Sequence, residues 1–123
     1  PMKHLFVPYE IALLAKEKGF TEPFLAFYPI ETHGVFQKGA LIFSGSNIIN
    51  DGDMRAPLYQ QLVDWLREKH NIAVNTQSDS SGLSWFDLWT KGECIQESDY
   101  YEDYYKALTE ALTKALTLTP DKK

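Results

Sequence analysis

Residues 99–115 read DYYEDYYKALTEALTKA and give the clearest structural signal in the chain. Apolar and aromatic side chains recur there at helical spacing, while charged side chains take the opposite face. The apolar stripe comprises Tyr101, Tyr104, Tyr105, Leu108, Ala111, Leu112 and Ala115. Asp99 is the candidate N-cap, because Glu102 follows it three residues later as in a capping box. The pattern predicts an amphipathic helix that packs its stripe on another layer.

Two strands are predicted immediately before this helix. Residues 72–76 (IAVNT) read as a short half-buried strand, and residues 83–90 (LSWFDLWT) read as a longer one. Residues 77–82 between them are rich in turn-forming side chains, which favours a hairpin.

The longer strand has two chemically different faces. Trp85, Asp87 and Trp89 share one face, and Phe86 and Leu88 share the other. If helices cover the Phe86 face, two tryptophans flank a carboxylate on the uncovered face. They would then form a stacking platform for a flat ligand or for side chains of a partner. The alternative is that the tryptophans form the core face.

The rest of the chain completes an α+β pattern. A helix is predicted from Pro8 to a cap at Gly19, strands within residues 23–28 and 35–43, and a second helix from Pro57 to residues 70–71. The predicted order is α-β-β-α-β-β-α, with a four-stranded, mostly antiparallel sheet and helices packed on one face. Residues 2–118 are expected to form a single domain. Pro1 reads as a residue left by tag cleavage, and residues 119–123 read as a frayed end.

Composition and net charge limit the kinds of partner that the chain is expected to bind. The chain has 123 residues and a net charge of −5, which argues against binding duplex nucleic acid. No apolar run reaches the length of about 20 residues that a membrane span needs. The single cysteine, Cys94, allows no intrachain disulfide and fits a cytoplasmic location.

No catalytic, metal or cofactor signature stands out. His4, His33 and His70 have no metal-ligand spacing, and nucleophile-elbow and phosphate-loop motifs are absent. Cys94 has no base near it in sequence and reads as a bystander. We therefore predict no catalytic residue, metal or cofactor. The alternatives are a small enzyme that acts through carboxylates or His33 in a cleft, and a purely structural protein.

Two further surfaces are candidates for contacts. Residues 93–103 hold five acids and no Lys or Arg, with Tyr100 inside the run, which suits a basic partner or a phosphate mimic. The alternative is a solvated helix start. On the first helix, Tyr9 and Leu13 lie opposite the Ile11 stripe and suggest self-association. The alternative for this pair is ordinary exposure of single apolar residues.

Several segments resemble one protein family. They are VPYEIA (7–12), KEKGF (16–20), APLYQQLVDWLREKHN (56–71) and YYKAL (104–108). They are similar to small uncharacterised proteins of Bacteroidetes, their phages and their mobile elements, whereas residues 29–55 match nothing in that family. The family has no known activity, so the resemblance implies context alone: an accessory protein in the cytoplasm of a bacterial host.

Together these patterns predict a non-enzymatic binding protein that forms a homo-oligomer. It would serve as an accessory or anti-defence protein, either engaging a host protein or sequestering a small nucleotide signal. The binding residues predicted are Trp85, Asp87, Trp89 and Tyr100.

Overall fold

A computed structural model describes residues 5–21, 26–28, 41–43 and 54–121 of the chain. The elements follow in the order α1 (Tyr9–Glu17), β1 (Ala26–Tyr28), β2 (Ile42–Phe43), β3 (Met54–Arg55), α2 (Tyr59–His70), β4 (Ala73–Ser78), β5 (Ser84–Thr90), β6 (Glu93–Glu97) and α3 (Tyr104–Thr117). The α+β class is therefore confirmed. Backbone contacts divide the chain into two compact units, Pro1–Tyr59 with Asp121–Lys123, and Gln60–Pro120. Folding of residues 2–118 as a single domain stays a prediction.

Helix α1 begins after Pro8 and ends at the glycine that the sequence predicts. Pro8 is the N-cap and has an extended backbone. Gly19 has a φ of 93°, which a glycine adopts without a steric penalty. The N–H groups of Gly19 and Phe20 donate to the carbonyls of Lys16 and Ala15, respectively, which is a Schellman motif. Phe20 is buried beside this end and fixes where the chain leaves the helix.

The first unit contains a small antiparallel sheet in the order β2-β1-β3. Phe27 in β1 pairs with Ile42 on one side and with Arg55 on the other. Strands β1 and β2 lie within the segments predicted to be extended. Residues 44–56 are rich in Ser, Gly, Asn and Asp, which predicts a loop. That prediction is wrong at residues 54–55, which form β3.

The second unit is an antiparallel sheet in the order β4-β5-β6, with α3 packed on β4 and β5. Phe86 and Leu88 of β5, and Leu112 and Leu116 of α3, are buried in its core. The predicted four-stranded sheet and the predicted element order are not confirmed. In the described residues, each predicted pair of strands gains a third, and the strands form two sheets of three.

The β4–β5 hairpin closes where the turn is predicted. The Asp79 carboxylate accepts hydrogen bonds from the N–H and hydroxyl of Ser81 and from the N–H of Leu83. These bonds, above all the one from the Ser81 hydroxyl, lower the pKa of Asp79. Gly82 supplies the positive φ, 94°, that the turn requires. The hairpin fixes the register that places alternate β5 side chains on opposite faces.

Helix α3 starts four residues later than the capping-box pattern predicts. The N-cap is Asp103, whose carboxylate accepts a 3.2 Å hydrogen bond from the N–H of Tyr105. Asp99 is not the cap, because Tyr101 pairs with Ser84 of β5 through two backbone hydrogen bonds. That pairing holds residues 98–101 beside the sheet and prevents a helical turn from forming there.

The chain beyond α3 makes specific contacts as far as Asp121, and fraying of residues 119–123 stays a prediction. Thr119 is 4% exposed, and its hydroxyl donates to the carbonyl of Leu116 at 2.8 Å. Asp121 forms an ion pair with Lys18, with 2.8 Å between Oδ1 and Nζ. The last two residues lie outside the described part of the chain.

Candidate functional site

The sheet that contains β5 has one face covered by α3 and one face that α3 does not cover. Phe86 and Leu88 are 1% and 0% exposed and face the side on which α3 packs. Trp85 and Asp87 are half-buried, and Trp89 is 38% exposed, on the opposite side. The alternative in which the tryptophans form the core is therefore wrong. We call the surface formed by Trp85, Asp87, Trp89 and Tyr100 the open face.

Asp87 is held at the centre of the open face by three neutral donors. The register of the hairpin places Asn75 directly opposite Asp87, and Gln77 two pairs further along, opposite Trp85. Asn75 Nδ2 donates to Oδ1 at 3.1 Å, and Gln77 Nε2 donates to Oδ2 at 3.2 Å. The indole Nε1 of Trp89 donates to Oδ1 at 2.7 Å. The carboxylate and one tryptophan ring are therefore fixed relative to each other.

Tyr100 reaches the open face through the backbone pairing that delays α3. Because Tyr101 pairs with Ser84, its ring points to the covered side, where it stacks on Phe86 with 6.3 Å between centroids. Side chains alternate in an extended segment, so Tyr100 points to the other side. Its ring meets Trp85 edge to face at 5.3 Å and remains 66% exposed. All four residues predicted for binding are thus brought together.

Strand β6 adds side chains to this face that the sequence did not indicate. Glu97 lies opposite Asp87, and Cys94 lies opposite Trp89. The Cys94 Sγ contacts Glu97 Oε1 at 3.8 Å. Partial desolvation raises the pKa of the Cys94 thiol, and the carboxylates of Glu97 and Asp87 act in the same direction. Because a thiol with a raised pKa stays protonated at neutral pH, Cys94 is a poor nucleophile.

A small pocket lies at the end of the sheet where Trp89 is located. Its volume is about 210 Å³, and its lining includes Arg67, Asn71, Trp89, Lys91 and Gly92. Arg67 comes from the last turn of α2, and Lys91 and Gly92 form the β5–β6 turn. Arg67 and Trp89 are far apart in the sequence, so no local sequence pattern could have indicated this cluster.

The residues predicted for self-association lie on α1 in the first unit. Leu13 is 39% exposed, and Tyr9 is half-buried. Ile11, Ala12 and Ala15 form the buried side of the helix. Leu13 is therefore accessible to a second copy, and self-association stays a prediction.

Within the described residues, no group of three or more His, Cys, Asp or Glu side chains is arranged to hold a metal ion. No helix in that part of the chain has the length and apolar character needed to cross a membrane. His33 and His4 lie outside the described residues, as does the side chain of Arg55. A cleft around His33 therefore stays a hypothesis.

No comparison with a known protein bears on the open face. The resemblance to small proteins of Bacteroidetes and their mobile elements stays a prediction. Comparison with protein-family models, with curated proteins and with solved structures finds no match to this chain.

Proposed function

We propose that this chain is a non-enzymatic binding protein whose open face takes a basic segment of a partner protein. One observation carries the proposal: a carboxylate fixed by three hydrogen bonds lies among exposed aromatic rings on an uncovered sheet face. Aromatic faces and a carboxylate together attract Lys and Arg side chains, through cation–π contact and charge-assisted hydrogen bonds.

Charge complementarity supports a cationic occupant. Asp87 and Glu97 lie opposite each other on neighbouring strands. Residues 93–103 hold five acids and no Lys or Arg, in a chain whose net charge is −5. Such a surface draws positively charged partners and repels acidic ones.

The hydrogen bonds of Asp87 limit how a cation can contact it. A carboxylate offers about four acceptor positions, and Asn75, Gln77 and Trp89 occupy three of them. One position remains, so the partner's cation makes a single hydrogen bond to Asp87 rather than a bidentate pair. The rest of its binding energy comes from contact with the rings of Trp85 and Tyr100, which favours a planar guanidinium.

The biological setting of the proposal comes from the family resemblance. An accessory protein of a phage or mobile element acts on components of its bacterial host, so the proposed partner is a host protein with an exposed Arg-bearing segment.

The proposal predicts that Asp87→Asn weakens binding of a blocked Gly-Gly-Arg-Gly-Gly peptide about tenfold, because the charge-assisted hydrogen bond is lost. Binding is measured by the shift of the Trp85 indole N–H signal in ¹H–¹⁵N NMR titrations. Trp85→Ala should also weaken binding, because it removes a ring that packs on the guanidinium.

Two controls make this test specific. Glu68→Gln removes one charge from an exposed position on α2, outside both the open face and the acidic run of residues 93–103, and should leave binding unchanged. The same peptide with citrulline in place of arginine keeps the shape without the charge and should not bind. Equal binding of the citrulline peptide, or equal weakening by Glu68→Gln, would contradict recognition at Asp87.

Self-association forms a separate part of the proposal. Leu13→Glu is expected to convert an oligomer into a monomer at micromolar concentration, because a charge cannot be buried unpaired in an interface. Native mass spectrometry measures the change. Thr21→Glu adds the same charge at an exposed position after the helix and serves as the control. If the wild-type protein is already a monomer, the proposal of self-association through α1 is wrong.

A further inference from the structure

The pocket beside Trp89 has the opposite charge to the rest of the protein. Arg67 and Lys91 both line it, and no carboxylate lines it among the described residues. Arg67 meets Asp64 loosely, with 3.7 Å between Nη1 and Oδ1, which leaves most of its donors available. In the part of the chain that the structure describes, Lys91 has no ion-pair partner.

Arg67 and Lys91 are the charged side chains that line the pocket among the described residues. Asp64 lies 3.7 Å from Arg67, and Asp87 accepts from the Trp89 indole, but neither carboxylate lines the pocket. An anionic group placed in the pocket therefore contacts the two cations directly, and these outweigh the charge of about half a negative unit at the C-terminal end of α2. Trp89 adds a partly exposed ring against which a flat group can stack.

Lys91 has a positive φ, which is unusual for a residue other than glycine. Lys91 and Gly92 are the central residues of a two-residue hairpin loop, with φ values of 53° and 79°. Such loops strongly favour Asn-Gly, because Asn tolerates positive φ and most other residues do not. Asn71, the other described non-glycine residue with positive φ, also lines the pocket, but it ends a helix where Asn is common. A lysine at the strained position therefore points to a use for its side chain.

We propose that the pocket formed by Arg67, Trp89 and Lys91 binds a planar ring that carries one carboxylate or phosphate. The ring stacks on Trp89, and the anionic group lies between the guanidinium of Arg67 and the ammonium of Lys91. The pocket volume of about 210 Å³ is below the roughly 300–1,000 Å³ of pockets that hold drug-sized ligands, so this pocket accommodates one ring system. Trp89 belongs to both the open face and this pocket, but the charged residues of the two sites differ and their ligands have opposite charge, so the two proposals can be tested separately.

The test uses Lys91→Asn, which removes the charge and supplies the residue that the loop favours. The variant should fold at least as stably as the wild type. Benzoate and adenosine 5′-monophosphate are titrated separately, and benzamide and adenosine serve as their uncharged counterparts. The readouts are the NMR signals of the Trp89 indole N–H and the Gly92 amide. Lys91→Asn is expected to weaken binding of the anionic probes about tenfold, and Lys91→Arg is expected to preserve it.

Each outcome decides the proposal. Binding of benzoate alone assigns the site to carboxylates, and binding of adenosine monophosphate alone assigns it to phosphates. Equal binding of the uncharged counterparts, or equal affinity of Lys91→Asn, overturns the proposal. So does the absence of any shift at about 10 mM probe, where even a millimolar site is largely filled. Asp87→Asn, tested with the arginine peptide, reports on the open face separately, so failure of one proposal is distinguishable from failure of the other.

Discussion

Phe86→Ala is expected to lower the free energy of unfolding by about 3–5 kcal/mol, the usual cost of truncating a buried aromatic side chain. Phe86 is 1% exposed, and it stacks on Tyr101 on the side of the sheet where α3 packs. Its removal leaves a cavity that the rigid sheet cannot close. Urea denaturation followed by far-UV circular dichroism measures the loss without relying on tryptophan fluorescence.

The matched control for this prediction is the preceding residue. Trp85 is larger than Phe86, but it is half-buried on the open face, where its ring contact is with Tyr100. Trp85→Ala should therefore cost about 1 kcal/mol, close to the value of one aromatic pair. Equal losses for the two variants would mean that the two faces of β5 are not covered and uncovered as described.

The separation of these faces was predictable because it needs only the period of a strand. LSWFDLWT alternates so regularly that knowing which set is buried determines the position of every other side chain. Sequence alone did not settle which set is buried, since both sets are largely aromatic or aliphatic. Packing of α3 on the Phe86 side settles it.

Strand β6 was not predicted because its sequence looks like a solvated edge. Glu93–Glu97 is largely exposed and carries two carboxylates, so it has none of the alternation of a half-buried strand. Lys91 occupies a loop position where Asn would have signalled a hairpin. The start of α3 was misplaced for a related reason. Its boundary depends on the pairing of Tyr101 with Ser84, and no pattern within residues 99–115 reveals that contact.

The candidate site shows the same division between local and long-range information. Trp85, Asp87 and Trp89 share a face by strand period, so the sequence was sufficient to propose them together. The donors from β4 depend on the hairpin register, and the approach of Arg67 depends on where α2 ends relative to the sheet. These contacts form only when the unit folds, so the sequence alone did not reveal them.

Residues 14–19 (LAKEKG) and 65–70 (WLREKH) give the ends of α1 and α2 similar sequences, which would fit a duplication of one unit from the other. The strand orders do not support that interpretation. Strand β1, the first of its unit, is central in the first sheet, whereas β5, the second of its unit, is central in the other. A duplicated unit would keep its strand order. The similarity between residues 14–19 and 65–70 therefore follows from the common requirements of helix ends, such as basic side chains in the last turn.

Leu112→Ala is expected to destabilise the protein by about 2–5 kcal/mol, the second large effect among these predictions. Leu112 is 0% exposed on the buried side of α3, next to Ala111, which is also 0% exposed. The small side chains of Ala107, Ala111 and Ala115 allow α3 to lie close to the sheet, so little slack exists to fill the cavity.

The control for Leu112→Ala lies two residues further along the same helix. Lys114→Ala changes an exposed position to the best helix former, so it should alter the free energy of unfolding by less than about 0.5 kcal/mol. Urea titrations of both variants give the comparison. If Leu112→Ala cost no more than Lys114→Ala, α3 would not cover the sheet in solution. The Phe86 side would then be as exposed as the open face. Exposure would no longer distinguish the face of Trp85, Asp87 and Trp89 as the binding surface.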